Sequence, residues 1–168
     1  MRDVESIKHL VYEMVEKYTN PFSEERDSVQ LLEELCYLSK QVVLQSKKMD
    51  LAITLSIADT TGECIFSYQM PGSLLASRDI AKRKAYTAVA MKATTKSLHD
   101  SVQPHRPLYQ LETITNGKIV TFPGGIPLFS SNNQLLGAIG VSGALNPEDD
   151  HFLAELFREE FAKLYFSS

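Results

Sequence analysis

The sequence predicts an α+β domain whose helices pack on a five-stranded antiparallel sheet, and three observations carry that prediction. Apolar residues recur at three and four spacing in some segments and alternate with period two in others. After one leading helix the segments run in the order helix, two strands, helix, three strands, helix. Turn chemistry between neighbouring strands, Asp59-Thr60-Thr61-Gly62 and Asn132-Asn133, joins them as hairpins and so makes them antiparallel. The 168 residues fit one domain of ordinary size.

Val4, Ile7, Leu10, Val11, Met14, Val15 and Tyr18 form the apolar stripe of the leading helix, with Asp3 as its N-cap. It stops before Asn20-Pro21, and Pro21 to Arg26 is a polar break. Residues 1–26 therefore read as an appended amphipathic helix and linker, and residues 28–168 as the domain proper. The next helix, from about Ser28 to Lys47, opens on an Asp27 to Gln30 capping-box pattern and buries Leu31, Leu32, Leu35, Leu38 and Val42. The period then changes to two. Leu51, Ile53, Leu55 and Ile57 alternate with small polar residues, and Cys64 to Gln69 returns as the second strand.

Met70-Pro71-Gly72-Ser73 ends that hairpin, and a helix from about Ser77 to Ala93 follows, its alanines small enough for close packing. Pro104 and Pro107 weaken the pattern between Ser97 and Thr115, which predicts an irregular connection with one short helix near Leu108 to Leu111. Asn116-Gly117 opens a strand over Lys118 to Phe122, and Ile126 to Ser130 and Gln134 to Ser142 complete the sheet. Asn146 as N-cap, Pro147 at the first helical position and the acids Glu148, Asp149 and Asp150 in the positive first turn begin the last helix.

Composition narrows the class of protein. At 43% hydrophobic and 23% charged residues the chain is globular, neither disordered nor fibrous. Its formal charge of −4 provides no basic field for nucleic acid. Cys36 and Cys64 are too few for a disulfide scaffold or a cysteine zinc site. Acids and bases interrupt the N-terminal segment, which excludes a signal-peptide core, and no stretch approaches the ~20 apolar residues of a membrane span. The expectation is a soluble, cytoplasmic protein that binds neither nucleic acid nor membrane.

Four features stand above background. Phe122-Pro123-Gly124-Gly125 lies between two strands, where paired glycines serve either a tight corner or the close approach of a ligand. Gly137, Gly140 and Gly143 recur inside a late strand, which suggests contact with something flat or with a neighbouring chain; a dinucleotide-binding loop would instead follow the first strand. Lys84 and Tyr86 stand on a helix of small residues, as a solvated Lys and half-buried Tyr or as ligand contacts. His105, Arg106 and Tyr109 share one loop, where imidazole and guanidinium are free to meet an acidic ligand. His9, His99 and His151 lack the partner spacing of zinc ligands and read as structural. Neither Ser73 nor Ser142 lies in a nucleophile elbow, and the Glu148 to Asp150 acids read as helix-dipole partners, so no catalytic constellation emerges.

The segments YQMPGSLLASRDIAKRKAYTAVAMK, FPGGIPL and LGAIGVSGALNPEDD resemble, in order and spacing, the GlcG/HbpS family of haem-binding or haem-degrading domains, over about residues 28 to 165. MPGSLLAS followed by VQPHRPLYQL is similar to the C-terminal domain of PduO-type corrinoid adenosyltransferases. The resemblance implies a profilin-like fold, homo-oligomeric assembly and binding of haem or another tetrapyrrole. It does not imply adenosyl transfer, which belongs to the other domain of the fused proteins. On this basis Lys84 and Arg106 are expected to meet propionates, Gly124 and Gly125 to admit the macrocycle edge, and His105, His99 or Tyr109 to ligate iron, with His105 the first choice of metal ligand. Tyr86, Phe122, Pro123, Gly140 and Gly143 complete the expected cofactor contacts. The chain departs from the family in its leading helix and in a second helix that holds Cys36 but no histidine.

The functional expectation is a tetrapyrrole-binding accessory in haem handling or beside cobalamin-dependent diol or ethanolamine metabolism. The alternatives are a small-ligand sensor or interaction module on the same scaffold, and a haem-degrading protein. The leading helix is expected to pack on a second subunit or another assembly partner, with docking in a bacterial microcompartment as one form of the latter; the alternative is that it folds back on its own domain across the Pro21 to Arg26 break.

Overall fold

A computed structural model describes residues 20–22 and 26–166. The predicted leading helix and His9 lie outside the described residues. The elements in order are α1 (Ser28–Lys48), β1 (Thr54–Ala58), β2 (Cys64–Gln69), α2 (Ser77–Met91), α3 (Thr95–Leu98), a 3₁₀ turn (His99–Val102), α4 (Leu111–Ile114), β3 (Gly125–Phe129), β4 (Leu135–Ser142) and α5 (Pro147–Phe166). The strands form one antiparallel sheet in the order β2-β1-β4-β3.

That sheet has four strands, and the fifth expected one, Lys118 to Phe122, does not form. Its alternation is real, since Ile119 and Thr121 are buried. Its amides, however, are taken by side chains: Val120 N–H donates to Thr87 Oγ1 at 3.0 Å and Thr121 N–H to Glu112 Oε1 at 3.1 Å. A segment whose donors are already satisfied has none left for a ladder. The short helix expected near Leu108 forms three residues later, as α4, and α3 and the 3₁₀ turn precede it.

The period-two pattern sorts the sheet into two unlike faces. Leu55, Ile57, Ile126, Leu128, Ile139 and Val141 form one core with Leu38 and Val42 of α1 and Leu153, Phe157 and Phe161 of α5. The opposite face carries small residues in register, Thr54 beside Ser142, Ser56 beside Gly140 and Ala58 beside Ala138. Helix α2 lies on that face with Ala81, Ala85 and Ala88 buried. A Cβ on Gly140 would stand 2.0 Å from the Ala81 carbonyl oxygen, so α2 approaches β4 as closely as a backbone can. Of the three repeat glycines Gly140 alone meets this helix; Gly137 abuts the Ala58 carbonyl and the Phe22 ring, and Gly143 abuts Ala52 and Ile53, so all three are spent on contacts within the chain.

Of the predicted caps, Asp3 lies outside the described residues and the other two form. Asp27 Oδ1 accepts from the Val29 and Gln30 amides at 2.9 and 2.8 Å, while the Gln30 side chain turns to Glu34 at 3.1 Å and leaves the capping box half made. Asn146 Oδ1 accepts from Glu148 N–H at 3.3 Å.

Candidate functional site

Helix α2 places Lys84 against the sheet, where its side chain is fully buried. Burial of an ammonium demands a partner. Asp150, in the first turn of α5, supplies it: Lys84 Nζ donates to Asp150 Oδ2 at 2.9 Å and to the Val141 carbonyl at 2.8 Å. Asp150 Oδ1 accepts the Ala144 amide at 3.0 Å, so one carboxylate ties α2 and the β4–α5 connection to α5. Burial lowers the Lys84 pKa and raises that of Asp150, each opposed by the attraction of the other charge. The acid read as a helix-dipole partner is thus a buried counter-ion, and Lys84 is not solvated.

The loop from Phe122 to Gly125 closes over this pair. Gly124 has φ +123°, and a Cβ there would meet Val141 O at 2.6 Å and Lys84 Nζ at 2.8 Å. A Cβ on Gly125 would meet the Lys84 carbonyl oxygen at 2.5 Å, and its amide donates to Thr95 Oγ1 at 2.9 Å. Internal packing therefore consumes both glycines, and the corner reading of this motif holds. Phe122 remains half-buried with its ring centroid 4.7 Å from Lys84 Nζ, a cation–π distance.

Phe122 also lines a groove of ≈ 750 Å³ between the 3₁₀ turn, the loop after it, α4 and residues 121–122. His99, Tyr109 and Phe122, three of the expected site residues, face it together with Val102, Gln103 and Ile114. Gln103 Nε2 donates to the His99 carbonyl at 3.0 Å and stands 3.3 Å from His99 Nε2. Glu112 also lines the groove and holds its edge through Thr121, whose hydroxyl donates to Glu112 Oε1 at 2.8 Å.

The remaining expected residues lie elsewhere. His105 and Arg106 are exposed on the loop and do not line the groove, and His105 turns the chain at φ +67°. Tyr86 packs beside Gly62 in the β1–β2 turn. Pro123 is half-buried in the corner, Gly140 abuts α2, and Gly143, at φ +153°, backs onto Ala52 and Ile53. Lys84 cannot reach a propionate while it is sealed against Asp150. Among the described residues no cluster of His, Cys, Asp and Glu gathers as a metal site, and no helix is long and apolar enough to cross a membrane. Sequence reasoning missed Asp150, whose position directly after Glu148 and Asp149 disguised it, and Glu112 and Gln103, which carry no local signal.

The arrangement matches known proteins. The family described as haem degrading protein HbpS-like matches residues 32–157, three quarters of the chain. The chain belongs to the HbpS-like family. It is 40% identical over 123 residues to the corrinoid adenosyltransferase PduO of Citrobacter freundii, covering 73% of this chain and 36% of that one. This HbpS-like chain thus spans little more than a third of that curated relative. Among solved structures it is similar to a PduOC:haem complex, with TM-score 0.72 and 37% identity over 76% of this chain and 91% of that one. The ORFY protein of Klebsiella pneumoniae gives TM-score 0.74 and 30% identity over 78% and 89%. HbpS itself, at 23% identity and TM-score 0.67, shares the fold of this HbpS-like member.

Proposed function

We propose that this chain binds a tetrapyrrole, haem or a corrinoid, in the groove beside Phe122, as a non-catalytic accessory in haem handling or cobalamin-dependent diol or ethanolamine metabolism. The observation that carries the reading is the meeting of His99 and Tyr109 with Phe122, Val102 and Ile114 around one groove. This donor set fits a metallated macrocycle. Apolar and aromatic walls suit its faces, and an imidazole and a phenol are axial-ligand types for haem iron. The family match and the haem-complexed relative support the same class of ligand. Lys84 is sealed, and Arg106, the other cation expected to meet a propionate, is exposed on the loop outside the groove lining.

Titration of the full chain with haemin tests the proposal. A saturable, shifted Soret band is expected, weakened at least about tenfold by His99→Ala. A featureless absorbance rise equal to that with albumin would overturn it. The family's description also favours a second reading, haem degradation. Loss of the Soret band with release of iron under a reductant or peroxide would assign it.

Assembly belongs to the same proposal. The apolar stripe of residues 4–18 is long enough to cover a neighbour, either a second copy or a microcompartment shell protein. Deleting residues 1–26 should lower the oligomer mass if the partner is a second copy. Fusion of residues 1–20 to a fluorescent protein should give puncta in cells that make shells, and diffuse fluorescence counts against docking.

A further inference from the structure

Lys84 is the largest buried side chain of the described residues and sits between two partners of different kinds. On one side are Asp150 Oδ2 at 2.9 Å and the Val141 carbonyl at 2.8 Å. On the other is the face of the Phe122 ring at 4.7 Å. An ammonium has three N–H donors, so two are spent on oxygens and the charge is shared with the ring. Phe122 in turn lines the groove. Pro123 and Gly124 follow it, and the Gly124 carbonyl is fixed by the Val141 amide at 2.8 Å, which anchors the backbone beside the ring.

We propose that Lys84 is a positioning residue for the groove, its sealed ammonium setting the Phe122 ring so that ligand geometry depends on a charge the ligand never touches. The inference rests on the tetrapyrrole reading above and assigns Lys84 a role distinct from the propionate contact its sequence position suggests. It also accounts for the use of lysine here. A pair that served only to knit α2 to α5 could be replaced by apolar residues of similar volume at little cost, whereas an apolar side chain offers the ring no cation.

Haemin titration of the full chain, read as affinity and Soret position, tests the inference. Lys84→Met combined with Asp150→Leu removes the charge without leaving a buried one unpaired. It is expected to keep the far-ultraviolet circular dichroism of the parent, to lose haemin affinity about tenfold or more, and to move the Soret maximum. Phe122→Leu leaves the ion pair intact and is expected to give the same loss. The two changes together should cost no more than either alone, because they act through one ring.

Parental affinity and Soret position in the doubly substituted chain, with only its stability altered, would overturn the inference. So would parental affinity in Phe122→Leu, whatever the fate of the charge variants. If the unaltered chain gives no saturable Soret band, the tetrapyrrole reading itself fails and this inference falls with it. Binding by the parent with indifferent variants removes the inference alone.

Discussion

The Lys84 ammonium meets the Asp150 carboxylate at 2.9 Å with both side chains buried, although the two residues are 66 positions apart and belong to helices on opposite faces of the sheet. The contact passes around the end of β4, where Val141 O also accepts from Lys84. Asp150→Ala leaves the lysine charge buried and unpaired, which is expected to cost about 3–5 kcal/mol. Urea unfolding followed by circular dichroism measures it. Replacing both members by Met and Leu should recover most of that loss, since the cost lies in the orphaned charge.

Gly140 is the contact point of α2 with the sheet, and a Cβ there would sit 2.0 Å from Ala81 O and 2.6 Å from Ala85 N. Both are backbone atoms, so no side chain can turn aside. Gly140→Ala must push α2 away from β4 and is expected to destabilise the fold by ~1–3 kcal/mol or more. The thermal midpoint should fall by several degrees, and a midpoint equal to the parent's would contradict the packing described here.

These two positions mark what sequence could and could not tell. Periodicity exposed β1 and α1 because burial on a sheet face or helix stripe imposes a local repeat, as with Leu55 and Ile57 or Leu35, Leu38 and Val42. The same rule misled at Ile119 and Thr121, which are buried in alternation while Thr87 and Glu112 side chains, not a neighbouring strand, take the Val120 and Thr121 amides. Lys84 and Asp150 gave no local sign of pairing, because each looks like a solvated charge beside its own neighbours. His99 joined Tyr109 and Phe122 only through the fold of the loop, which has no repeat to read.

Asp27 satisfies two first-turn amides of α1 with one oxygen. No acidic side chain in the first turn can replace it. Asp27→Ala is therefore expected to cost about 1 kcal/mol, most visibly as faster amide hydrogen exchange at Val29 and Gln30. Asp27→Ser should retain most of the stability, since a hydroxyl also accepts at this position.

His151 gives the domain a pH dependence of defined sign. It stands in α5 with its side chain mostly buried and its Nδ1 without a hydrogen-bond partner, and Glu155 lies 3.8 Å from Nε2. Burial holds its pKa below the ordinary histidine value of 6.5, Lys96 and Lys84 push the same way, and Glu155 and Glu148 oppose them. Between the folded value and 6.5 the unfolded chain binds the proton and the folded chain does not, so stability rises with pH through that window. The contribution is complete above 6.5 and is lost as pH falls through the folded value. Asp150 acts at lower pH with the opposite sign, because its folded pKa is raised: stability falls as pH climbs from 3.8 toward that value. Urea unfolding between about pH 5 and pH 7.5 should therefore show a positive slope for the parent and a flatter one for His151→Gln, which cannot take up a proton. Equal slopes in the two proteins would mean that His151 is free to protonate in the folded state.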